Sequence, residues 1–351
     1  MPPLRILVVD DSAVIRRVLS ELLSADPELV VAGTAGNGIQ ALARIPEAKP
    51  DLITLDIEMP GMGGLETLVE IRKLYPKLPV IMFSSLTERG ANATLDALAR
   101  GASDYVTKPS GAASPERVGD ELIRKIKSLC AVRPPQLRSS PIPVPVSGHP
   151  GRIDVIAIGT STGGPNALTV LIPQFPADFP VPIVIVQHMP PLFTRLLAER
   201  LSSLGRLKVR EGKEGENLRP GQVWIAPGDN HMTVARKGME VVLGLNHDPQ
   251  ENSCRPAVDV LFRSVAQSYG SHVLAVVLTG MGNDGTRGAA AIREAGGQVI
   301  VQDEASSVVW GMPGSIVASQ LADHAYPLSS IAAEVVRRVS VRRLIAGAVH
   351  A

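Results

Sequence analysis

Residues 154–165 have the sequence DVIAIGTSTGGP. The apolar run at 154–158 predicts a buried strand, and the glycine-rich stretch after it predicts a tight turn into a helix. Pro165 supports this interpretation because proline suits the first turn of a helix. Such a turn lifts Ser161 out of the sheet and sets it before a helix N-terminus, whose free amides stabilise a developing oxyanion. The stretch therefore predicts an α/β sheet with a nucleophilic serine at a strand end.

The same turn has a second interpretation as an anion-binding loop. Glycine-rich loops before helices also hold phosphates and dinucleotides. However, GTSTGG at 159–164 fits neither GxGxxG nor GxxxxGK[ST], and no acidic residue ends the next strand in a ribose-binding position. The turn alone favours a hydrolase and leaves an anion site open.

Two further strand ends carry side chains suited to a serine hydrolase. A strand at 183–186 is followed by His188, and a strand at 273–278 runs into a glycine-rich turn that contains Asp284. Taken singly, a histidine at a strand end is usually structural, and Asp284 could cap the next helix. Because parallel strands end at one sheet edge, however, we expect Ser161, His188 and Asp284 to lie together. They predict an acyl-transfer site with a nucleophile, a base and an orienting acid.

The wider pattern predicts two α/β domains. In the first half, short apolar runs alternate with helical patterns, which implies right-handed βαβ units and a doubly wound, flavodoxin-like sheet of five parallel strands. The second half predicts a doubly wound, mainly parallel α/β domain with a small antiparallel hairpin whose turn lies at 236–238. The predicted strands are 5–9, 29–32, 52–55, 80–83 and 104–107, then 154–158, 183–186, 223–226, 273–278 and 299–301, with hairpin strands at 232–235 and 240–243.

A proline-rich stretch separates the two halves. Residues 133–151 read RPPQLRSSPIPVPVSGHPG, and proline at this density forms neither a helix nor a central strand. We therefore expect a linker at 129–151 between domains at 1–128 and 152–346.

Composition argues against several classes of protein. The 351 residues carry a formal net charge of +1 and 3% aromatic residues, so we expect no nucleic-acid partner. No apolar run reaches the roughly 18 residues of a membrane span. The two cysteines form neither a CxxC motif nor a disulfide framework. We expect a cytoplasmic protein without direct membrane insertion.

Polar and charged side chains also end the strands of the first half. Asp10 and Asp11 follow the first strand and Asp56 the third, whereas Ser84 and Lys108 end the fourth and fifth. Three carboxylates at one sheet edge repel one another, and a bound Mg²⁺ relieves this repulsion. Asp56 could then attack a phosphoryl group while Mg²⁺ and Lys108 neutralise its charge. An Asp-Asp pair alone more often caps a helix, but this set of strand ends favours a phosphorylation pocket.

The predicted first domain resembles a response-regulator receiver domain. The shared motifs are VVDDS at 8–12, LDIEMPGMGG at 55–64, FSS at 83–85 and YVTKP at 105–109. The resemblance implies that Asp56 is the phosphoacceptor. It also implies that Mg²⁺ is held by the side chains of Asp10, Asp11 and Asp56 and by the backbone carbonyl of Glu58.

The receiver resemblance further implies a switch. Ser84 and Lys108 would contact the phosphoryl group, and Tyr105 would be the switch aromatic that moves together with Ser84. A cis bond before Pro109 would aim Lys108 into the pocket.

The predicted second domain resembles the catalytic domain of the chemotaxis protein-glutamate methylesterases, the CheB family. The shared motifs are IGTSTGGP at 158–165, VQHMP at 186–190, IAPGDNH at 225–231, CRPAVDVLF at 254–262, LTGMGNDG at 278–285 and WGMPG at 310–314. The resemblance implies Ser161 as the nucleophile, His188 as the general base and Asp284 as its partner. Backbone amides of Thr162 and Met281 are candidate oxyanion donors.

The CheB resemblance also implies an activity and partners. The enzyme would hydrolyse glutamyl methyl esters on the cytoplasmic domains of methylated chemoreceptors and deamidate selected glutamines, with no cofactor in the catalytic domain. A chemotaxis histidine kinase would phosphorylate Asp56, and this would shift the receiver away from the Ser161 cleft. The competing hypothesis is a receiver-controlled, non-enzymatic binding module whose glycine-rich turns hold an anionic ligand.

Overall fold

The computed structural model describes residues 2–108, 115–131 and 152–348. The chain divides into two compact units, Met1–Pro135 and Gln136–Ala351. Pro109 and most of the expected linker, residues 132–151, lie outside the described residues. Within the described ranges, every helix is too short or too polar to cross a lipid bilayer.

The N-terminal unit alternates strands and helices. Its strands are β1 Leu4–Val9, β2 Leu29–Ala35, β3 Leu52–Asp56, β4 Val80–Ser84 and β5 Asp104–Thr107, and its helices are α1 Ala13–Ser24, α2 Gly38–Ala48, α3 Gly64–Leu74, α4 Glu88–Ala99 and α5 Pro115–Cys130. Neighbouring strands pair in parallel in the order β2-β1-β3-β4-β5. β3 and β4 are buried along their whole length, as expected of a parallel sheet covered on both faces. The predicted five-stranded fold is confirmed.

Residues around the first strand end show why the two adjacent aspartates lie at the sheet edge. The Ser12 side chain caps α1 by accepting a hydrogen bond from the Ile15 amide. Asp10 accepts a 2.9 Å hydrogen bond from the Ser12 amide. Serine, not aspartate, therefore satisfies the helix end, and both carboxylates stay at the carboxyl end of β1.

The C-terminal unit is a second α/β domain. Its strands are β6 Val155–Thr160, β7 Ile183–Gln187, β8 Lys208–Glu211, β9 Gln222–Ile225, β10 His231–Lys237, β11 Glu240–Asn246, β12 Val273–Val277, β13 Gln298–Gln302 and β14 His324–Tyr326. Its α-helices are α6 Gly164–Leu171, α7 Pro191–Leu204, α8 Val258–Tyr269, α9 Thr286–Glu294, α10 Met312–Ala318 and α11 Leu328–Ala348. Seven strands pair in parallel in the order β14-β13-β12-β6-β7-β9-β8, and β10 and β11 form an antiparallel hairpin.

Strand order sets the place of the functional site. The neighbouring strands β6 and β12 connect in opposite directions, β6 to β7 and β12 to β13. In open parallel sheets a cleft forms at such a reversal of the strand order. The turns after β6, β7 and β12 therefore meet at one cleft.

The largest differences from the sequence predictions lie at the sheet edges and in the hairpin. The edge strands β8 and β14, with sequences KVRE and HAY, were not predicted because they are short and lack apolar alternation. The hairpin strands are also longer than predicted, since Arg236 and Lys237 continue β10. The turn is formed by Gly238 and Met239, and the Gly238 φ of 63° suits a two-residue hairpin turn.

Candidate active site and phosphorylation pocket

The Ser161 turn connects β6 to α6. Thr160 at the end of β6 pairs with Gln187 at the end of β7. The Ser161 amide donates a 3.1 Å hydrogen bond to the Thr279 carbonyl, just beyond β12. Gly163 then turns the chain with a φ of 77°, a conformation that favours glycine. Ser161 thus lies between the ends of β7 and β12, directly before α6.

His188 and Asp284 form a largely buried pair beside this turn. The His188 amide donates a 3.2 Å hydrogen bond to the Thr160 carbonyl, and His188 Nε2 lies 2.8 Å from Asp284 Oδ2. Only 12% of the His188 side chain and 3% of the Asp284 side chain are exposed. Within the described part of the chain, no hydrogen bond joins the Ser161 hydroxyl to His188. The structure brings the three predicted residues to one sheet edge and pairs two of them directly.

Five hydrogen-bond donors surround the Asp284 carboxylate. They are His188 Nε2, the Asn252 side-chain amide and the backbone amides of Val258, Asp259 and Gly285, at 2.6 to 3.0 Å. Burial alone raises the pKa of Asp284, but His188 and the backbone amides outweigh burial and hold the pKa below its ordinary value. The carboxylate is therefore charged and only accepts hydrogen bonds. Nε2 of His188 must carry a hydrogen.

The opposite nitrogen of the His188 ring contacts a cysteine. His188 Nδ1 lies 3.5 Å from Cys254 Sγ. Burial disfavours the imidazolium and lowers the pKa of His188, but Cys254 and Asp284 outweigh burial and raise this pKa above its ordinary value. The ring is thus held at both of its nitrogens.

Asn252, Cys254 and Asp259 were missed by the sequence analysis, which assigned no role within residues 254–262. Asn252 Nδ2 bridges two buried carboxylates, at 2.8 Å from Asp284 Oδ1 and 2.9 Å from Asp259 Oδ2. The only signal in the sequence is a run of small polar residues just before a helix. That run does not reveal that Asn252 and Cys254 have partners 32 and 66 positions away along the chain.

A buried histidine at the start of β10 holds both ends of this segment. His231 is fully buried, its Nδ1 accepts a 3.2 Å hydrogen bond from the Ala257 amide, and its Nε2 lies 3.1 Å from the Pro249 carbonyl. Since Nδ1 accepts, Nε2 donates. His231 thereby joins both ends of the loop that carries Asn252 and Cys254.

The candidate oxyanion donors lie on the turns that flank Ser161. The Thr162 carbonyl accepts a 2.9 Å hydrogen bond from the Thr279 hydroxyl. Across the described residues, the Met281 backbone amide donates no hydrogen bond. A Cβ added to Gly280 would lie 2.9 Å from Ser161 Cβ, so glycine allows the Met281 turn to approach the serine. The oxyanion roles of Thr162 and Met281 stay predictions.

Three carboxylates meet at the carboxyl edge of the N-terminal sheet. One oxygen from each of Asp10, Asp11 and Asp56 lies within 4.8 Å of the others. Lys108 Nζ lies 2.8 Å from Asp56 Oδ2 and 3.1 Å from Asp10 Oδ2. Burial, aided by the charge of Asp10, raises the pKa of Asp56 to about 6, although Lys108 opposes the shift. The pocket thus holds more negative charge than its lysine offsets.

This donor set fits a hard divalent cation. Mg²⁺ binds carboxylate and carbonyl oxygens, and its charge would offset the burial and the carboxylate repulsion that raise the pKa of Asp56. The Glu58 amide donates a 3.4 Å hydrogen bond to Asp56 Oδ1, which sets the Glu58 backbone at the edge of the pocket. The role of the Glu58 carbonyl as a ligand stays a prediction.

Ser84 and Tyr105 are engaged away from the carboxylates. The buried Ser84 hydroxyl donates a 3.1 Å hydrogen bond to the Gly90 carbonyl in α4 and accepts a 2.6 Å hydrogen bond from Thr94. Tyr105 is 6% exposed, and Lys125 Nζ lies 5.0 Å from the centroid of its ring. Contact between Ser84 and a phosphoryl group on Asp56 would therefore require the hydroxyl to leave α4.

Comparison with known proteins gives two families and close relatives. Residues 156–335 match the CheB methylesterase family, and residues 6–117 match the response regulator receiver domain. A relative from Trichodesmium erythraeum named protein-glutamate methylesterase/protein-glutamine glutaminase is 51% identical, over 97% of this chain and 100% of its own. One of the same name from Thermotoga maritima is 43% identical, over 96% of this chain and 98% of its own. The crystal structure of the Thermotoga maritima CheB methylesterase catalytic domain is 44% identical and covers 53% of this chain and 98% of its own, with a TM-score of 0.52.

Proposed function

Because this chain belongs to the CheB methylesterase family and carries a receiver domain, we propose that Ser161, His188 and Asp284 perform its hydrolytic chemistry. The chain is a protein-glutamate methylesterase and protein-glutamine glutaminase under receiver control. Its substrates are methyl-esterified glutamates, and selected glutamines, of chemoreceptors. The observation that carries the assignment of residues is the largely buried His188–Asp284 hydrogen bond of 2.8 Å beside the Ser161 turn.

The arrangement of hydrogen bonds specifies which nitrogen acts as the base. Asp284 accepts the hydrogen on Nε2, so the neutral ring has its free electron pair on Nδ1. Nδ1 takes the Ser161 proton as the serine oxygen attacks the ester carbon. The charged Asp284 stabilises the imidazolium that forms.

The remaining steps return that proton. His188 Nδ1–H protonates the departing methoxide, methanol leaves, and the glutamyl group stays on Ser161 as an ester. A water molecule that gives its proton to Nδ1 then attacks this ester, releasing glutamate and the serine hydroxyl. On a glutamine side chain the leaving group is ammonia. Amides of Met281 and Thr162 would donate to the oxyanion in both steps.

The receiver domain would control this chemistry through Asp56. A carboxylate oxygen of Asp56 attacks phosphorus, and Lys108, already 2.8 Å away, stabilises the added charge. Asp10, Asp11, Asp56 and the Glu58 carbonyl would hold Mg²⁺, and a bound Mg²⁺ would supply positive charge against the phosphoryl group. Ser84 would turn from Gly90 to the phosphoryl oxygens and Tyr105 would follow, which changes the α4–β5 surface.

The proposed partners follow from the family. A chemotaxis histidine kinase supplies the phosphoryl group, and the cytoplasmic domains of methylated chemoreceptors supply the esters, so the enzyme works in the cytoplasm. The non-enzymatic binding module is not favoured, because the full-length relatives are named as enzymes.

Methanol release from methylated receptor membranes tests the proposal. Ser161→Ala should abolish release while Asp56 is still phosphorylated by a small-molecule phosphodonor. Ser253→Ala, a serine change close to the same cleft, is the matched control and should keep the activity. Release by Ser161→Ala at the wild-type rate would refute the assignment, and testing several methylated receptors would identify the substrate.

A further inference from the structure

Cys254 lies in the loop between β11 and α8 and contacts the proposed base. Its Sγ is 3.5 Å from His188 Nδ1, and its side chain is half-buried. A thiol is a weak donor and a weak acceptor of hydrogen bonds. The proposed reaction steps use no atom of Cys254, although its sulfur contacts His188 Nδ1, the nitrogen that accepts the serine proton.

The hydrogen bond between His188 and Asp284 determines which partner donates between Cys254 and His188. The Asp284 carboxylate accepts five hydrogen bonds and donates none. The hydrogen on Nε2 of His188 therefore points at this carboxylate. The neutral ring therefore accepts at Nδ1, and the Cys254 S–H is the donor. When the ring is protonated the hydrogen bond reverses, and the sulfur accepts Nδ1–H.

We propose that Cys254 is a positioning residue for the esterase, whose thiol holds His188 Nδ1 at the Ser161 turn until the serine hydroxyl takes its place. This inference rests on the proposed function, because it takes His188 as the base. Asp284 alone fixes one point of the imidazole and leaves the ring plane able to turn. A second hydrogen bond at the opposite nitrogen fixes the plane.

A weak donor suits this role. Within the described residues the Ser161 hydroxyl makes no hydrogen bond to His188, and the thiol occupies the nitrogen instead. A charged donor such as a lysine would hold this electron pair against Ser161, because charge-assisted hydrogen bonds are the strong ones, whereas a neutral donor such as S–H is displaced at low cost. Cys254 thus orients the base without blocking it.

Kinetics of the full chain test the proposal. In Cys254→Ala, kcat should fall roughly three- to tenfold with KM unchanged, the effect expected for one lost hydrogen bond that orients the base. Cys254→Ser, which keeps a donor, should recover at least half of that loss on a logarithmic scale. Cys130→Ala changes the only other cysteine, which lies in the N-terminal unit at the end of α5, and should leave kcat unchanged. An unchanged kcat in Cys254→Ala, or no recovery in Cys254→Ser, would overturn the proposal.

A second measurement needs no substitution at position 254. In ¹⁵N-histidine-labelled Cys130→Ala protein, methyl methanethiosulfonate converts the Cys254 thiol into a methyl disulfide, with methanesulfinate as the leaving group. The capped sulfur cannot donate, so at an alkaline pH where the ring is neutral the His188 Nδ1 resonance should move to that of a nitrogen without a donor, and dithiothreitol should restore it. A resonance that does not move overturns the proposal.

These measurements separate two kinds of failure. An unmoved Nδ1 resonance together with inactive Ser161→Ala and His188→Gln removes the role of Cys254 and leaves the proposed function standing. Full activity in His188→Gln would remove both.

Discussion

Asp284→Asn is expected to disable the base of this enzyme while preserving its fold. An asparagine has the same shape as aspartate but offers one acceptor oxygen and one NH₂ group. Three donors face Oδ1 and two face Oδ2. The amide oxygen should therefore take the Oδ1 position, and the NH₂ group should face His188 Nε2 and the Val258 amide.

The consequence for His188 is a change of tautomer. With NH₂ opposite it, Nε2 becomes the acceptor and the ring proton moves to Nδ1, the nitrogen that must accept from Ser161. Loss of the correct tautomer lowers kcat by about 10³- to 10⁴-fold in a serine–histidine–acid site. The Val258 amide also loses its acceptor, so the free energy of unfolding should fall by about 2 kcal/mol.

Asp259→Asn is the matched control. Asp259 is also buried and accepts from the Gly288 amide, the Asn252 side chain and Arg287, but it does not contact His188. The change should lower the free energy of unfolding by a similar ~2 kcal/mol and kcat by less than about tenfold. Initial rates of methanol release and urea unfolding measure both quantities. A folded Asp284→Asn enzyme within tenfold of wild type, or equal losses in the two variants, would refute this account of the base.

Asp56→Asn should leave basal methanol release within about twofold of wild type and abolish its stimulation by a phosphodonor; stimulation that persists would locate the acceptor elsewhere. Mg²⁺ binding, measured by titration calorimetry, should be lost in Asp11→Asn and kept in Tyr105→Phe, because only the first removes a carboxylate from the pocket; equal affinities would contradict the site. Methanol release should increase with pH through the neutral range, because a raised pKa leaves His188 more protonated there and only the neutral imidazole accepts the serine proton. A rate that is flat above about pH 6 would show that the base titrates below its ordinary value.

The two sheets could be predicted because their strands are buried on both faces. Short apolar runs separated by helical patterns have few other interpretations, and the position of Ser161, His188 and Asp284 at one edge follows from the parallel order. The edge strands β8 and β14 could not be predicted in this way, because strands at a sheet edge need little apolar surface.

The residues that hold His188 and Asp284 in place could not be predicted, for a different reason. Asn252 and Cys254 lie in an irregular loop, and their partners Asp284 and His188 are 32 and 66 residues away along the chain. The spacing of apolar residues along the chain does not indicate such contacts, because they depend on how His231 holds the loop. The sequence also does not indicate where a side chain points, as the hydrogen bond from Ser84 to the Gly90 carbonyl in α4 illustrates.

Mapping the reactive serine with a fluorophosphonate tests the central claim most directly. The phosphorus of the reagent forms a bond to an activated serine oxygen as fluoride leaves, and mass spectrometry of the digested full chain locates the adduct. We predict a single adduct on Ser161, labelling that proceeds in step with the loss of methanol release, and no labelling in His188→Gln. An adduct on another residue, or full methanol release after Ser161 is completely labelled, would contradict the account.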